Sequence, residues 1–437
     1  MRKVMFVLVS ILILSLLTAA CSAGNKEANN PPAATNGNAK QGASEEANKP
    51  KENITLNIAV WDDKLKQTLD QVIEIYKKDH SHVDVQVTIT PNKDYFTKVQ
   101  TSLVGGSGPD LFMMNGPNFN KFASLGLLTN LEENIGKDKL DLSVYPQGIN
   151  ELYQIDKQSY GIPFFLGSIG LFYNKELFDQ ANIPYPDATW NWDTLKENAA
   201  KLTNKEKKVF GYVAVNSDQV GYYPLVYQAG GQIISADKKS SGLALPETKQ
   251  AIQFMKDLMD EGISPSAQQQ LETDPLQLFG SGGAAMYPGG SFDASNLTKL
   301  LGDKLGVAAL PQGKQQGFYV HGSSWVINKA SKHQQEAWEL LRLLTGKEGQ
   351  ELLAKNAVNF PAYTDYVKVW AESIPSLDMS PFITSLDHTA PYPVSINTAE
   401  WAKVLKEAVT EALLGSKPVG EALDQAAEQM NQILSKE

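Results

Sequence analysis

The chain has 437 residues, of which 42% are hydrophobic and 20% are charged, and its formal net charge at pH 7 is −10. This length is too great for one ordinary domain and fits two, and the hydrophobic fraction is sufficient for a large core. The acidic balance and the lack of a prominent Lys/Arg cluster argue against a surface that binds nucleic acid or anionic membranes.

The first twenty residues differ in chemistry from the rest of the chain. Arg2 and Lys3 precede residues 4–20, an almost wholly apolar run that ends in small residues. A membrane span usually needs about 20 apolar residues, so this order predicts a signal peptide over residues 1–20. Cys21, which follows it, is the only cysteine and cannot form an internal disulfide. Residues 17–21 (LTAAC) resemble the bacterial lipobox, which implies lipidation of Cys21 and an anchor on the outer face of the cell membrane.

Residues 22–53 contain no Val, Ile, Leu, Phe, Tyr or Trp. A segment of this composition has nothing to bury, so residues 21–53 are predicted to form a lipidated, disordered tether.

The predicted globular body opens with an alternation of strands and helices. Apolar residues at every second position predict strands over Ile54–Val60 and Val83–Ile89, and helical spacing predicts helices over 65–76 and 96–103. A buried strand follows at 111–114. This order is typical of an α/β domain with a largely parallel sheet, in which ligands bind beyond the carboxyl ends of the strands.

A second unit is predicted to begin after residues 160–163. It opens with a strand over 169–173. Helices are expected at Lys175–Ala181, 193–202, 246–261, 334–344, 401–414 and Val419–Leu434.

Short motifs along the whole body resemble the landmarks of family 1 of the bacterial extracellular solute-binding proteins. They occur in the family's order over nearly all of residues 54–437. The motifs are GSGPD (106–110), YGIP (160–163), LFYNKELF (171–178), TWNWDTL (189–195), GAAM (283–286), GGSF (289–292), LGVAALP (305–311), GSSWVI (322–327), AWELL (337–341), NFPA (359–362) and LGSKPVGEAL (414–423).

This resemblance implies an α/β, two-lobe periplasmic-binding-protein-like fold with an interlobe ligand cleft and a hinge. It implies lobe one at 54–161 plus 325–363 and lobe two at 162–324 plus 364–437, with crossings near 161–167, 320–324 and 361–365. The expected function is capture of a carbohydrate, an oligosaccharide in the first instance, and delivery to the permease subunits of an ABC importer. A monomer suits a protein that must dock and release.

Motifs for catalysis or metal binding are missing from the sequence. It contains no phosphate-binding P-loop, no His-Glu-x-x-His, no paired Cys-x-x-Cys and no Gly-x-Ser-x-Gly. We therefore expect no enzymatic activity, no cofactor and no metal site. Three alternatives stay open: the same fold binding another solute, a subunit that signals to a membrane sensor, and a secreted glycan-active enzyme, because 49 acids leave room for a carboxylate pair.

Sugar binding needs aromatic rings for the apolar faces of a pyranose and polar side chains for its hydroxyl groups. The candidate residues lie at strand ends, before or after a glycine pair, at a predicted crossing or at a helix start. They are Trp61, Asp62, Asp63, Asn115, Asn118, Tyr222, Tyr223, Phe292, Trp325 and Trp401. Core packing is the alternative role for Phe292, Trp325 and Trp401, and ordinary turn formation is the alternative for the two asparagines.

Overall fold

Two β-sheets covered by helices form the centre of the protein. The larger sheet is mixed and the smaller one is antiparallel. The structure, a computed structural model, describes residues 52–437. The predicted signal peptide, Cys21 and nearly all of the predicted tether lie outside the described residues.

Twelve strands occur in the described residues. They are β1 Ile54–Val60, β2 Val83–Ile89, β3 Leu111–Asn115, β4 Gln154–Ile155, β5 Gln158–Ser159, β6 Ile162–Gly167, β7 Ile169–Asn174, β8 Met286–Gly290, β9 Leu305–Ala308, β10 Phe318–Ile327, β11 Phe360–Pro361 and β12 Thr389–Pro391.

Eighteen α-helices connect and cover these strands in the same part of the chain. They are α1 Lys66–Asp79, α2 Asn92–Val104, α3 Gly116–Ser124, α4 Glu132–Asp138, α5 Gln147–Leu152, α6 Lys175–Ala181, α7 Trp192–Leu202, α8 Tyr223–Gln228, α9 Pro246–Asp260, α10 Ala267–Glu272, α11 Pro275–Gly280, α12 Ala294–Leu301, α13 Gln334–Thr345, α14 Lys347–Lys355, α15 Val367–Glu372, α16 Ser380–Thr384, α17 Thr398–Leu413 and α18 Val419–Leu434.

The larger sheet has the strand order β11-β6-β10-β3-β1-β2, with β12 beside one end of β10. Strand β1 is parallel to both β2 and β3, whereas β10 runs antiparallel to β3 and β6. The predicted succession of strand, helix, strand, helix and strand is confirmed. Its physical basis is local: β1 alternates exposed and buried residues in its first half, and α1 buries Leu69, Val72 and Ile73 along one face.

The smaller sheet contains three antiparallel strands in the order β8-β7-β9. Only Ser168 separates β6 of the larger sheet from β7 of the smaller one, and its hydroxyl donates to Phe382 O at 2.7 Å. The chain therefore passes between the sheets at Ser168. The predicted division assigned Ile162–Gly167 to lobe two, but these residues pair with β10 and β11 in the larger sheet. The lobe boundaries remain a prediction.

Aromatic side chains fill much of the core. Trp325, Trp338, Trp370 and Trp401 are all almost fully buried. Within residues 52–437, none of the helices combines the length and the apolar character needed to cross a membrane.

Candidate ligand-binding cleft

A cleft of about 370 Å³ lies between the carboxyl ends of β1 and β3 in the larger sheet and the turn after β8 in the smaller sheet. Its lining combines aromatic rings with polar side chains. The lining residues are Trp61, Asp62, Lys64, Asn92, Asn115, Pro117, Phe165, Asp218, Gln219, Phe292, His321, Gly322, Asn359 and Tyr392.

Trp61 is the main aromatic residue on the wall formed by the larger sheet. Its ring meets Tyr95 edge-on at a centroid distance of 5.3 Å and Phe165 edge-on at 6.4 Å. Aromatic pairs favour this geometry because the positive edge of one ring faces the negative face of another. The surrounding rings therefore fix the orientation of Trp61 before a ligand arrives.

Two polar side chains on the same wall are held by the turns that follow their strands. Asp62 Oδ1 accepts a hydrogen bond from Lys64 N at 3.0 Å, and Asn359 Nδ2 lies 3.5 Å from Asp62 Oδ2. Asn115 caps α3, where its Oδ1 accepts from the backbone N of Asn118 at 3.2 Å and from Asn118 Nδ2 at 2.9 Å. Asn115 Oδ1 is thus committed to the helix, and its Nδ2 group is the candidate donor to a ligand.

The opposite wall is built around Phe292, which is partly exposed and follows the glycine pair at the end of β8. A Cβ atom on Gly290 would lie 2.1 Å from the Phe292 ring, so only glycine lets the ring fold back over the strand. Beside it, the Tyr392 hydroxyl donates to Asp218 Oδ2 at 3.1 Å. A ring and a hydrogen-bonded carboxylate thus face the wall that carries Trp61.

One contact spans the two walls. Lys64 Nζ, just beyond β1, lies 3.5 Å from the backbone oxygen of Phe292. The neighbouring carboxyl of Asp293 is partly buried, and this desolvation raises its pKa to about 6, although the N–H of Gly290 and the Lys64 ammonium both oppose that shift. Lys64 from one wall and the carboxyl group of Asp293 from the other therefore lie near each other at the narrow part of the cleft.

His321 lies at the base of the cleft between two aromatic rings. Its centroid is 6.0 Å from that of Phe292 and 6.1 Å from that of Tyr392, both edge-on. Burial lowers the pKa of His321 to about 3, so the imidazole is neutral at physiological pH. It can pair with an uncharged ligand as a donor or an acceptor, depending on its tautomer.

Four of the predicted residues, Trp61, Asp62, Asn115 and Phe292, line the cleft. Two others lie beside it. Asp63 is exposed and begins the turn after β1, and Asn118 supports Asn115.

The other four predicted residues are buried and lie outside the lining. Trp325 packs edge-on against Phe164 at 5.5 Å, and Trp401 Nε1 donates to Ser395 Oγ at 2.8 Å. Tyr222 and Tyr223 are each 2% exposed. Tyr223 packs behind Tyr392, with ring centroids 5.2 Å apart. These four side chains belong to the core, because each is at most 2% exposed.

Sequence reasoning missed several lining residues. Lys64 follows the Asp62-Asp63 pair directly and Asn359 opens the NFPA motif, so both stood beside a recognised signal. His321 also stood beside one, because it directly precedes the GSSWVI motif in the predicted crossing at 320–324, whereas Tyr392 carried none. They meet because β12, which ends just before Tyr392, pairs with the first residues of β10, and that pairing joins distant parts of the chain.

A larger cavity, of about 640 Å³, lies elsewhere. Segments 203–210 and 259–278 supply its entire lining, including Lys205 and Lys208. Phe210 is its only aromatic residue. Since neither the larger sheet nor the turn after β8 contributes to it, a ligand there would not bridge two walls. The smaller cleft is therefore the better candidate site.

Comparison with known proteins identifies the family. The family model described as bacterial extracellular solute-binding protein matches residues 62–351. Among curated proteins, the galactooligosaccharide-binding protein of Bacillus subtilis is 24% identical over 70% of this chain and 72% of its own length. The maltooligosaccharide ABC transporter solute-binding lipoprotein of Streptococcus pneumoniae is 23% identical over 96% of this chain and 94% of its own.

A solved structure shares the fold. The ABC substrate-binding protein of Listeria monocytogenes in complex with cycloalternan superimposes with a TM-score of 0.82 at 23% identity, over 88% of this chain and 99% of that one. The predicted two-lobe fold is therefore confirmed. The match over residues 62–351 shows that this chain belongs to the family of bacterial extracellular solute-binding proteins.

Proposed function

We propose that the protein binds a carbohydrate, an oligosaccharide in the first instance, in the cleft between its two sheets. The observation that carries this proposal is that Trp61 and Phe292 line opposite walls of one cleft, with Asp62 and Asn115 beside Trp61 and Asp218 beside Phe292. Flat rings cover the apolar faces of a sugar, and carboxylate and amide groups pair with its hydroxyls. Related proteins named for galactooligosaccharide and maltooligosaccharide binding support this assignment.

Capture would proceed by closure of the two lobes on the ligand. A bound sugar contacts residues of both walls at once, and those joint contacts exist only when the walls are close. The ligand thereby favours the closed form without being changed chemically. The permease subunits of an ABC importer would then recognise the closed form and receive the sugar.

The protein would work as a monomer tethered to the outer face of the cell membrane. The lipobox-like residues 17–21 support lipidation of Cys21, and the S. pneumoniae relative is itself described as a lipoprotein. Labelled palmitate fed to expressing bacteria is expected to enter the wild-type protein and not the Cys21→Ser variant. Equal labelling of both proteins would contradict the anchor.

Titration calorimetry with a panel of sugars tests the binding function. The panel contains galacto-oligosaccharides, maltooligosaccharides and cycloalternan, each measured also for its effect on thermal stability. At least one sugar is expected to bind and to raise the melting temperature, since a ligand that binds only the folded state stabilises it. Phe292→Ala is expected to weaken that binding about tenfold through loss of ring contact.

Phe254→Ala is the matched control for Phe292→Ala. Phe254 is also a partly buried aromatic residue, but it stacks on Trp192 at 4.6 Å away from the cleft. Its removal should leave sugar affinity unchanged. The carbohydrate proposal fails if no sugar binds while an amino acid, a polyamine or a metal ion does.

A further inference from the structure

Strand β10 carries an unusual run of buried polar atoms. His321 Nε2, Ser323 Oγ, Ser324 Oγ and Trp325 Nε1 are all inaccessible to solvent and have no hydrogen-bond partner among the described residues. Buried polar groups in native proteins are nearly always paired, because leaving them unpaired is costly. This run at the base of the cleft therefore calls for an explanation.

Strand geometry separates these atoms into two groups. Ser323 pairs across the sheet with Asn115 of β3 and with Phe165 of β6, and both of those residues line the cleft. Side chains of directly paired residues lie on the same face of a sheet. The Ser323 hydroxyl thus lies on the cleft face, beneath the lining.

Ser324 lies on the opposite face, because successive residues of a strand alternate. A Cβ atom on Gly161 would lie 2.7 Å from Ser324 Oγ, so this hydroxyl points at the backbone behind the sheet. Trp325 pairs with Met113 and Ile162, which are both fully buried, and is therefore remote from the ligand.

His321 is two residues from Ser323 along the strand and lines the cleft directly. Its ring lies over Gly167, where a Cβ atom would be 2.1 Å from His321 Nε2. Phe292 and Tyr392 meet the ring edge-on at 6.0 and 6.1 Å. The imidazole is thus held in one place at the deepest part of the cleft.

We infer that His321 Nε2 and Ser323 Oγ, which are covered in the sugar-free protein, become accessible when β10 bends on lobe closure. They then form a polar floor that hydrogen-bonds a hydroxyl group of the bound sugar, with or without one intervening water. These two atoms are then specificity-determining groups, since a ligand without a hydroxyl at that position leaves them unpaired. This inference rests on the proposed carbohydrate binding. It identifies the two groups that hydrogen-bond the part of the ligand deepest in the cleft.

Calorimetry on four variants tests the floor, with the tightest-binding sugar of the panel as the probe. Ser323→Ala and His321→Phe are each expected to weaken binding about five- to tenfold. His321→Gln, whose amide can reach the position of Nε2, should recover most of the lost affinity. Ser324→Ala removes an equally buried hydroxyl from the opposite face, close to the Tyr153 hydroxyl, and should change affinity less than about twofold.

The melting temperature of the sugar-free proteins distinguishes a binding role from a structural one. Ser323→Ala removes an unpaired polar atom, so its sugar-free melting temperature should equal or exceed that of the wild type. The polar floor is wrong, while the proposed function stands, if Ser323→Ala lowers the melting temperature and leaves sugar affinity unchanged. The same holds if Ser323→Ala and Ser324→Ala change the affinity equally. Failure of the wild type to bind any panel sugar overturns both the proposed function and the floor.

Discussion

At the scale of single residues, a neutral histidine and a lysine line the cleft, and the partly buried carboxyl of Asp293 lies beside it. Burial holds His321 in its neutral form and raises the pKa of Asp293 to about 6. Lys64 reaches the turn that contains Asp293 from the opposite wall. These residues give the cleft a polar character suited to an uncharged ligand. The raised pKa of Asp293 also makes the stability of the folded protein depend on pH.

The raised pKa of Asp293 predicts the direction of that pH dependence. Between the ordinary value of 3.8 and about 6, the folded protein holds a proton that the unfolded chain releases. The free energy of unfolding should therefore fall as pH rises through this window and stay level above it. Asp293→Asn keeps an oxygen acceptor for the N–H of Gly290 and removes the charge.

Asp293→Asn should be more stable than the wild type at pH 7, by on the order of 1–3 kcal/mol, and this advantage should shrink towards pH 4. Urea unfolding across that pH range measures it. The exposed Asp303, changed to Asn, serves as the control and should show no such trend. If Asp293→Asn raised the free energy of unfolding equally at every pH, the raised pKa of Asp293 would not be the cause of its effect.

The sequence predicted some lining residues and missed others for a clear physical reason. Trp61, Asp62 and Asn115 follow strand ends and Phe292 follows a glycine pair, so local pattern was sufficient to place them. Trp325 lies in a stretch of β10 that is buried on both faces, and alternation cannot show which face meets a ligand there. Which face of the sheet such a residue lies on depends on how its strand pairs with strands that are distant in the sequence.

At the scale of elements, Asp110 is a brace at the start of β3. Its Oδ2 accepts from Asn57 N at 2.8 Å, its Oδ1 from Ser331 Oγ at 2.6 Å, and its backbone oxygen from Asn328 N at 2.9 Å. These contacts tie β1 and β3 to the segment after β10. They also fix the strand ends that carry Trp61 and Asn115.

Long elements were predictable, and of the short buried strands β3 and β7 were predicted whereas β8 and β9 were not. The alternation in β1 and β2 and the helical spacing of α1, α17 and α18 are local signals that the structure confirms. Strands β8 and β9 are buried at every residue and therefore show no alternation. The five-residue π-helical turn at Asp218–Tyr222, which brings Asp218 and Gln219 to the cleft, has no sequence signature of its own.

At the scale of the whole molecule, the two sheets and the connection between them create the site. The chain leaves the larger sheet at Ser168, builds the smaller sheet, and returns through β10, whose first residues pair with β12 and whose remainder joins the larger sheet. The base of the cleft is therefore formed by the strand that links the two halves. In the proposed capture by closure, a ligand held there would contact both walls and the connection between them.

A crystal structure of the protein with the tightest-binding sugar of the panel tests most directly whether the cleft between the sheets is the binding site. A sugar ring is expected between Trp61 and Phe292, with hydrogen bonds to residues from both walls. A sugar bound instead in the larger cavity lined by residues 203–210 and 259–278, with the cleft empty, would contradict it.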